Sequence, residues 1–314
     1  MTVTGPVAAE KLGATLAHEH LYCDLSVSSG RPDNVVTDID AMIGEMAFFR
    51  AAGGCSIVEA SPEGIGRNPA ALRRISEASG VQIISGISLY EAKTWPAWAR
   101  GADVGTLTDH FVREIEEGTD GVRAGILGEV FSRNAAGTDF RAYRLEEHEV
   151  RLFQAAAAAH RRTGVAITTH ACEGRGGHAQ LDALERAGAD LTRVAIGHCD
   201  THWHPDPELD LAYYLPILER GAYCEFDLIG WTQLMPDEVR ADRIAELTKR
   251  GHAEKITLST DTCRRSQLRI HGGRGFDYLW RTFLPKLRER GVSEAQITAM
   301  MVTAPSRLLG GNGR

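Results

Sequence analysis

The chain has 314 residues, 43% hydrophobic and 25% charged, with a formal net charge of -7. That length allows one large domain or two ordinary ones with a sizeable core, and the acidic balance argues against a nucleic-acid surface. No apolar run approaches the ~20 residues of a membrane span; the opening MTVTGPVAAEKLGATLAHEHL lacks a basic stretch followed by an apolar one, so no secretion signal and a cytoplasmic, soluble protein are expected.

Eight short apolar runs rich in β-branched residues succeed one another: TLAHEHLYCDL, CSIVEAS, VQIISGISLY, RAGILGEVF, GVAITTHAC, RVAIGHCD, AYCEFDL and KITLSTDTC. Between them lie segments with helical periodicity, such as DIDAMIGEMAFFRAAGG, EEHEVRLFQAAAAAHRRTG, ELDLAYYLPILERG and DEVRADRIAELTKRG, several closing on Gly. Strand and helix alternate with no Pro/Gly/Ser-rich linker, which predicts a single domain over 1–314 built of parallel βα units, a (β/α)8 barrel. A doubly wound sheet is disfavoured because no GxGxxG turn follows the first strand.

The runs end in polar residues. His18 and His20 stand in the first, Glu59 ends the second and Glu129 the fourth; His170, His198, Asp227 and Asp261 end the fifth to eighth. In a barrel these ends converge on one mouth. Buried His, Glu and Asp are costly unless paired or metal-bound. His18 and His20, two apart on a strand, point to the same side. Four histidines with two carboxylates point to a divalent ion such as Zn, Mn, Fe or Co rather than calcium. A second HxH, His202 and His204, lies in the proline-containing CDTHWHPDPE and is expected in a loop. His110, His148, His160, His178, His252 and His271 are expected on the surface. The six cysteines (Cys23, Cys55, Cys172, Cys199, Cys224 and Cys263) form no CxxC pair and read as reduced, small core residues.

TGPVAAEKLGATLAHEHLY, ILGEV, ITTHA, IGHCD, STD and MVTAPSRLL together resemble the phosphotriesterase-like family of the amidohydrolase superfamily, from Thr2 to Leu309. The resemblance implies an amidohydrolase-type (β/α)8 TIM barrel with two divalent metals, zinc foremost. His18 and His20 would bind the buried metal with Asp261; His170 and His198 would bind the more exposed one. Glu129 takes the bridging position that many members give to a carboxylated lysine, and no lysine occurs between Lys93 and Lys249. This is the glutamate-bridged branch of the family, where classical organophosphate hydrolysis is a side activity at most. Asp261 would serve as proton acceptor. Tyr90, Asp227, Arg264 and Arg265 would face substrate, while Leu228 stands where lactonases acting on acyl-homoserine lactones have arginine.

The implied activity is hydrolysis of a small carboxylic-acid derivative, a lactone or ester. The alternatives are an N-acyl amide of a small anionic amine and, from another class, a non-catalytic binding protein on a retained barrel. Expected partners are a small-molecule substrate and a second copy in a homodimer, with no nucleic acid or membrane.

Overall fold

A computed structural model describes residues 1–133, 139–171 and 175–310. Each of the eight apolar runs supplies one strand of the barrel sheet, and the first also supplies Cys23–Asp24, which pairs with Val35–Val36 outside it. β1 (Thr15–Glu19), β2 (Ser56–Glu59), β3 (Gln82–Ile87), β4 (Ile126–Phe131), β5 (Ile167–His170), β6 (Val194–Ile196), β7 (Tyr223–Phe226) and β8 (Ile256–Leu258) follow one another round the sheet in chain order, each parallel to the next.

The intervening segments form α1 (Ile39–Ala51), α2 (Pro69–Ser79), α3 (Val104–Glu116), α4 (Glu147–Thr163), α5 (Gly177–Arg186), α6 (Pro207–Glu219) and α7 (Asp237–Lys249). Their starts follow from side chains that satisfy free N–H groups. The Asp38, Asn68 and Asp103 side chains accept from Ala41, Ala71 and Thr106 N–H at the heads of α1, α2 and α3. Gly164, in the left-handed conformation at φ 73, stops α4. Among the described residues no helix is long and apolar enough to cross a membrane.

The strands join β1 to β8 through side chains. His18 N–H donates to Ser259 Oγ at 3.0 Å, and the Glu19 carboxylate accepts from Thr260 N–H at 2.7 Å. Along β7 the same-face residues are Tyr223, Glu225 and Asp227, and along β5 they are Ala166, Thr168 and His170. Val58, Ile84, Ile126, Ala166, Ala195 and Tyr223 form an apolar layer with Ala304 and Leu308 of the final helix. Thr168 Oγ donates to Glu225 at 2.6 Å in the next layer. His170 and Asp227 lie above that, at the C-terminal strand ends where barrels place their chemistry.

Two expectations fail here. Cys55 is exposed rather than core, because it stands in the turn before β2; Cys23, Cys199, Cys224 and Cys263 are buried, and Cys172 lies outside the described residues. His160 is buried rather than on the surface. It faces inward from the last turn of α4, where both ring nitrogens find backbone partners, Val165 O at 2.7 Å and Asp190 N–H at 3.2 Å.

Candidate metal centre

Glu129, at the end of β4, faces four imidazoles. Its Oε2 lies 2.8 Å from His170 Nδ1, 3.3 Å from His18 Nε2 and 3.7 Å from His198 Nε2, and its Oε1 lies 3.8 Å from His20 Nε2. Asp261 closes the group, with Oδ1 at 3.1 Å from His20 Nε2. The six residues that sequence reasoning singled out as metal ligands therefore converge, although they come from five strand ends.

The far side of each ring explains why these nitrogens point inward. His198 Nδ1 is 2.8 Å from Asp227 Oδ1, and His18 Nδ1 is 3.2 Å from Asp227 Oδ2 and 3.5 Å from Glu225 Oε2. His20 Nδ1 is 2.8 Å from Ser61 Oγ, which donates to Glu59 at 2.5 Å. An acceptor behind Nδ1 fixes the proton there and leaves the Nε2 lone pair facing the centre, the usual support of a metal-bound histidine. His170 is the exception and presents Nδ1, 3.0 Å from His198 Nε2.

Two backbone positions are set for this purpose. His198 and Asp261 have φ of 53 and 44, in the left-handed region that non-glycine residues seldom occupy. Gly197 allows the approach before His198, since a Cβ there would collide with the Thr169 carbonyl.

Burial opposes charge throughout the cluster; it prevails at His170, whose ring is held below its ordinary value, and is outweighed at other members. Burial lowers the pKa of His198, but the Asp227 carboxylate outweighs it and pushes the ring up to about 9. His18 likewise stands well above its ordinary value despite burial, through Asp227 and Glu129. Glu129, also buried, is held well below the carboxylate range by His170 and His18. Cations bound here would compete with protons for the same ring nitrogens.

The donor set fits divalent metal. His18 Nε2 and Asp261 Oδ1 are buried and make no well-formed hydrogen bond, each facing only another member of the cluster, Glu129 Oε2 at 3.3 Å and His20 Nε2 at 3.1 Å, an arrangement that native structures rarely leave unanswered. His18, Glu129 and His198 bring ligand atoms within 4.8 Å of one another, as do His18, His20 and Asp261. Nitrogen and carboxylate donors without thiolate suit Zn, Mn, Fe or Co.

The residues expected to face substrate divide. Tyr90 lies beside the centre, its ring 5.6 Å from His170 and 4.7 Å from Phe131. Arg264 stacks over Trp231, with its guanidinium carbon 4.5 Å from the ring centroid and Nε buried without a partner. The Trp231 Nε1 donates to Thr260 O at 2.9 Å, so this pair sits against the turn that carries Asp261. Arg265 is exposed on the rim, next to Ser266, whose N–H donates to Asp33 at 2.9 Å. Asp227 departs from the expectation: it is fully buried behind the rings of His18 and His198, which occupy both its oxygens. His202 and His204 lie outside the cluster, with the His202 ring stacked on Tyr213 of α6 at 4.5 Å.

Sequence reasoning missed Glu225, Ser61 and Trp231. Glu225 carried a signal: a glutamate two residues before Asp227 in an apolar strand shares its face. Nothing local marks Ser61 or Trp231, whose partners are set by packing.

Comparison with known proteins finds relatives over nearly the whole chain. The chain is 35% identical over 297 residues to the phosphotriesterase homology protein of Escherichia coli, covering 94% of this chain and 97% of that protein. It is 29% identical over 353 aligned positions to the N-acetyltaurine hydrolase of Xenopus tropicalis, covering 98% of this chain and 97% of that one. A solved lactonase from Listeria monocytogenes superposes with a TM-score of 0.88 at 25% identity, covering 98% of both chains. The model of the phosphotriesterase family matches residues 1–309, and the chain is a hydrolase-fold member of that family.

Proposed function

We propose that the protein is a binuclear-metal hydrolase of a small carboxylic-acid derivative, a lactone or ester in the first instance. The observation that carries this reading is the convergence of four imidazoles on one buried carboxylate, Glu129, with Asp261 against His20 and with His18 Nε2 and Asp261 Oδ1 lacking a well-formed hydrogen bond. His18, His20 and Asp261 would hold one cation, His170 and His198 the other, and Glu129 both. Such cations supply Lewis acidity and lower the pKa of water from roughly 15.7 to about 7. Asp261 takes the proton of the attacking water as the new C–O bond forms, and returns it to the leaving oxygen as the old acyl bond breaks. Asp227 holds the rings of His198 and His18, and Ser61 with Glu59 holds that of His20, so that their inward nitrogens keep their aim. Tyr90 and Phe131 form an aromatic wall beside His170 for the acyl part.

A second substrate reading, the N-acyl amide of a small anionic amine, is favoured by Arg264. Its buried Nε lacks a partner beside the Asp261 turn, where an anionic group can be met by a charge-assisted bond. With this reading go zinc as the metal and a homodimer, as the family resemblance implies, and a cytoplasmic site of action.

The deciding experiment is a paired hydrolysis screen on metal-loaded protein, with lactones followed by proton release and N-acyl amines by free amine. Asp261→Asn is the control, expected to keep the fold and lose about 10²–10⁴ in kcat. Turnover that survives this substitution, or protein that binds no metal when offered it, overturns the reading.

A further inference from the structure

The middle residue of the HEH motif has no part in the centre as described, although it is wholly buried. Glu19 points to β8, away from the two histidines that flank it. Its Oε1 accepts from Ser259 Oγ, Thr260 N–H and Thr260 Oγ, each at 2.7 Å, and its Oε2 accepts from Thr262 N–H at 2.7 Å. All four donors come from residues 259–262, and the two backbone donors flank Asp261.

Asp261 needs such a hold. Its φ of 44 is left-handed, a conformation that a residue other than glycine keeps only where its surroundings impose it. The preceding carbonyl is held from the other side, with Thr260 O accepting from Trp231 Nε1 at 2.9 Å and from Arg274 Nη2 at 2.5 Å. The peptide is therefore gripped at Thr260 N, Thr260 O and Thr262 N. The Asp261 carboxylate projects from that grip to His20, the residue that follows Glu19 just past the end of β1.

We propose that Glu19 is the positioning residue of Asp261: through the N–H groups on either side, it fixes the turn from which the Asp261 carboxylate reaches the centre. HEH then acts in two directions, its outer residues aiming imidazoles at the centre and its middle residue aiming the carboxylate of the last strand. The proposal rests on the metal-centre reading above. It differs from a role confined to joining β1 to β8, which would affect stability alone.

The test uses cobalt(II)-loaded full-length protein, whose visible spectrum reports the ligands of the ion. In Glu19→Gln one oxygen becomes an NH₂ that must face N–H or O–H donors. The expected result is a spectrum displaced toward that of Asp261→Asn, with little further change in the double variant. On whichever substrate the screen identifies, kcat falls about tenfold or more and KM little. Thr260→Val, which removes one hydroxyl donor and keeps the backbone, should shift the spectrum in the same direction by less, and decides the matter if Glu19→Gln fails to fold. Wild-type spectra in both variants with only a lowered Tm overturn the proposal and leave the metal centre standing. Wild-type protein that takes up no cobalt overturns the metal centre and this proposal with it.

Discussion

His198 and Asp227 are joined at two points. The carboxylate is 2.8 Å from the ring Nδ1, and the His198 backbone N–H lies 3.0 Å from both carboxylate oxygens. One side chain thus orients the imidazole and holds a backbone at φ 53. Its other oxygen reaches the His18 ring, so a single buried acid sets two of the four imidazoles around Glu129.

Asp227→Asn should therefore weaken metal retention about 10–100-fold, because an amide that offers NH₂ to one ring loses the tautomer control the carboxylate exerts. Competition with a chromogenic chelator measures this directly. Retention equal to wild type would show that the rings are held by packing alone.

Arg264→Ala should raise KM about tenfold to a hundredfold for substrates bearing an anionic group. The lost charge-assisted bond is worth ~1.5–3 kcal/mol. Neutral analogues should be unaffected. Equal loss on both classes would assign Arg264 to the packing of Trp231, over which it stacks.

His160 makes stability depend on pH. Burial lowers its pKa from the ordinary 6.5; Arg193 and Arg161 act the same way, while the Val165 carbonyl bond and Asp190 oppose them. In the neutral form Nδ1–H donates to Val165 O and Nε2 accepts from Asp190 N–H, so a second proton would meet a donor. Between the folded and unfolded values the unfolded chain binds more protons, and stability rises with pH. The contribution is complete above about pH 6.5 and is lost as pH falls through the lower folded-state value. His160→Gln should flatten the decline in Tm below pH 6.5 in a thermal-melt series; an unchanged slope would rule the residue out.

Arg240 is wholly buried and paired with Asp200 at 2.8 Å and Asp237 at 3.1 Å. It also donates to the carbonyls of Met235 and Trp231, pinning the loop after β7 to the end of β6. Arg240→Leu leaves two carboxylates buried without their cation, and should cost about 3–5 kcal/mol by urea titration. A loss below 1 kcal/mol would mean that the acids are already neutral.

The barrel was legible because its signals are local. A run such as ITTHA declares a buried strand with a polar end within a few residues, and Gly164 or Asp38 marks a helix boundary by its own conformational preference. The clustering of the candidate ligands was legible for the same reason: period two puts His18 and His20 on one side, and imidazole and carboxylate at strand ends have few fates other than pairing or metal. Asp227 was misassigned because its partners are 29 and 209 positions away in the chain, and a strand end does not reveal whether its side chain points to the opening or beneath the neighbouring rings.

The sequence by itself determined the eight strands, their order of polar endings and the chemistry of the donors, since each depends on residue type and short spacing. Tertiary structure alone decided what stands behind those donors. Glu19 meets Thr262 across 243 positions and His18 meets Glu225 across 207, contacts created only when the last strands of the barrel come round to the first. Whether a buried acid aims a ring, grips a turn or faces substrate depends on which strand becomes its neighbour, and that is a property of the assembled barrel.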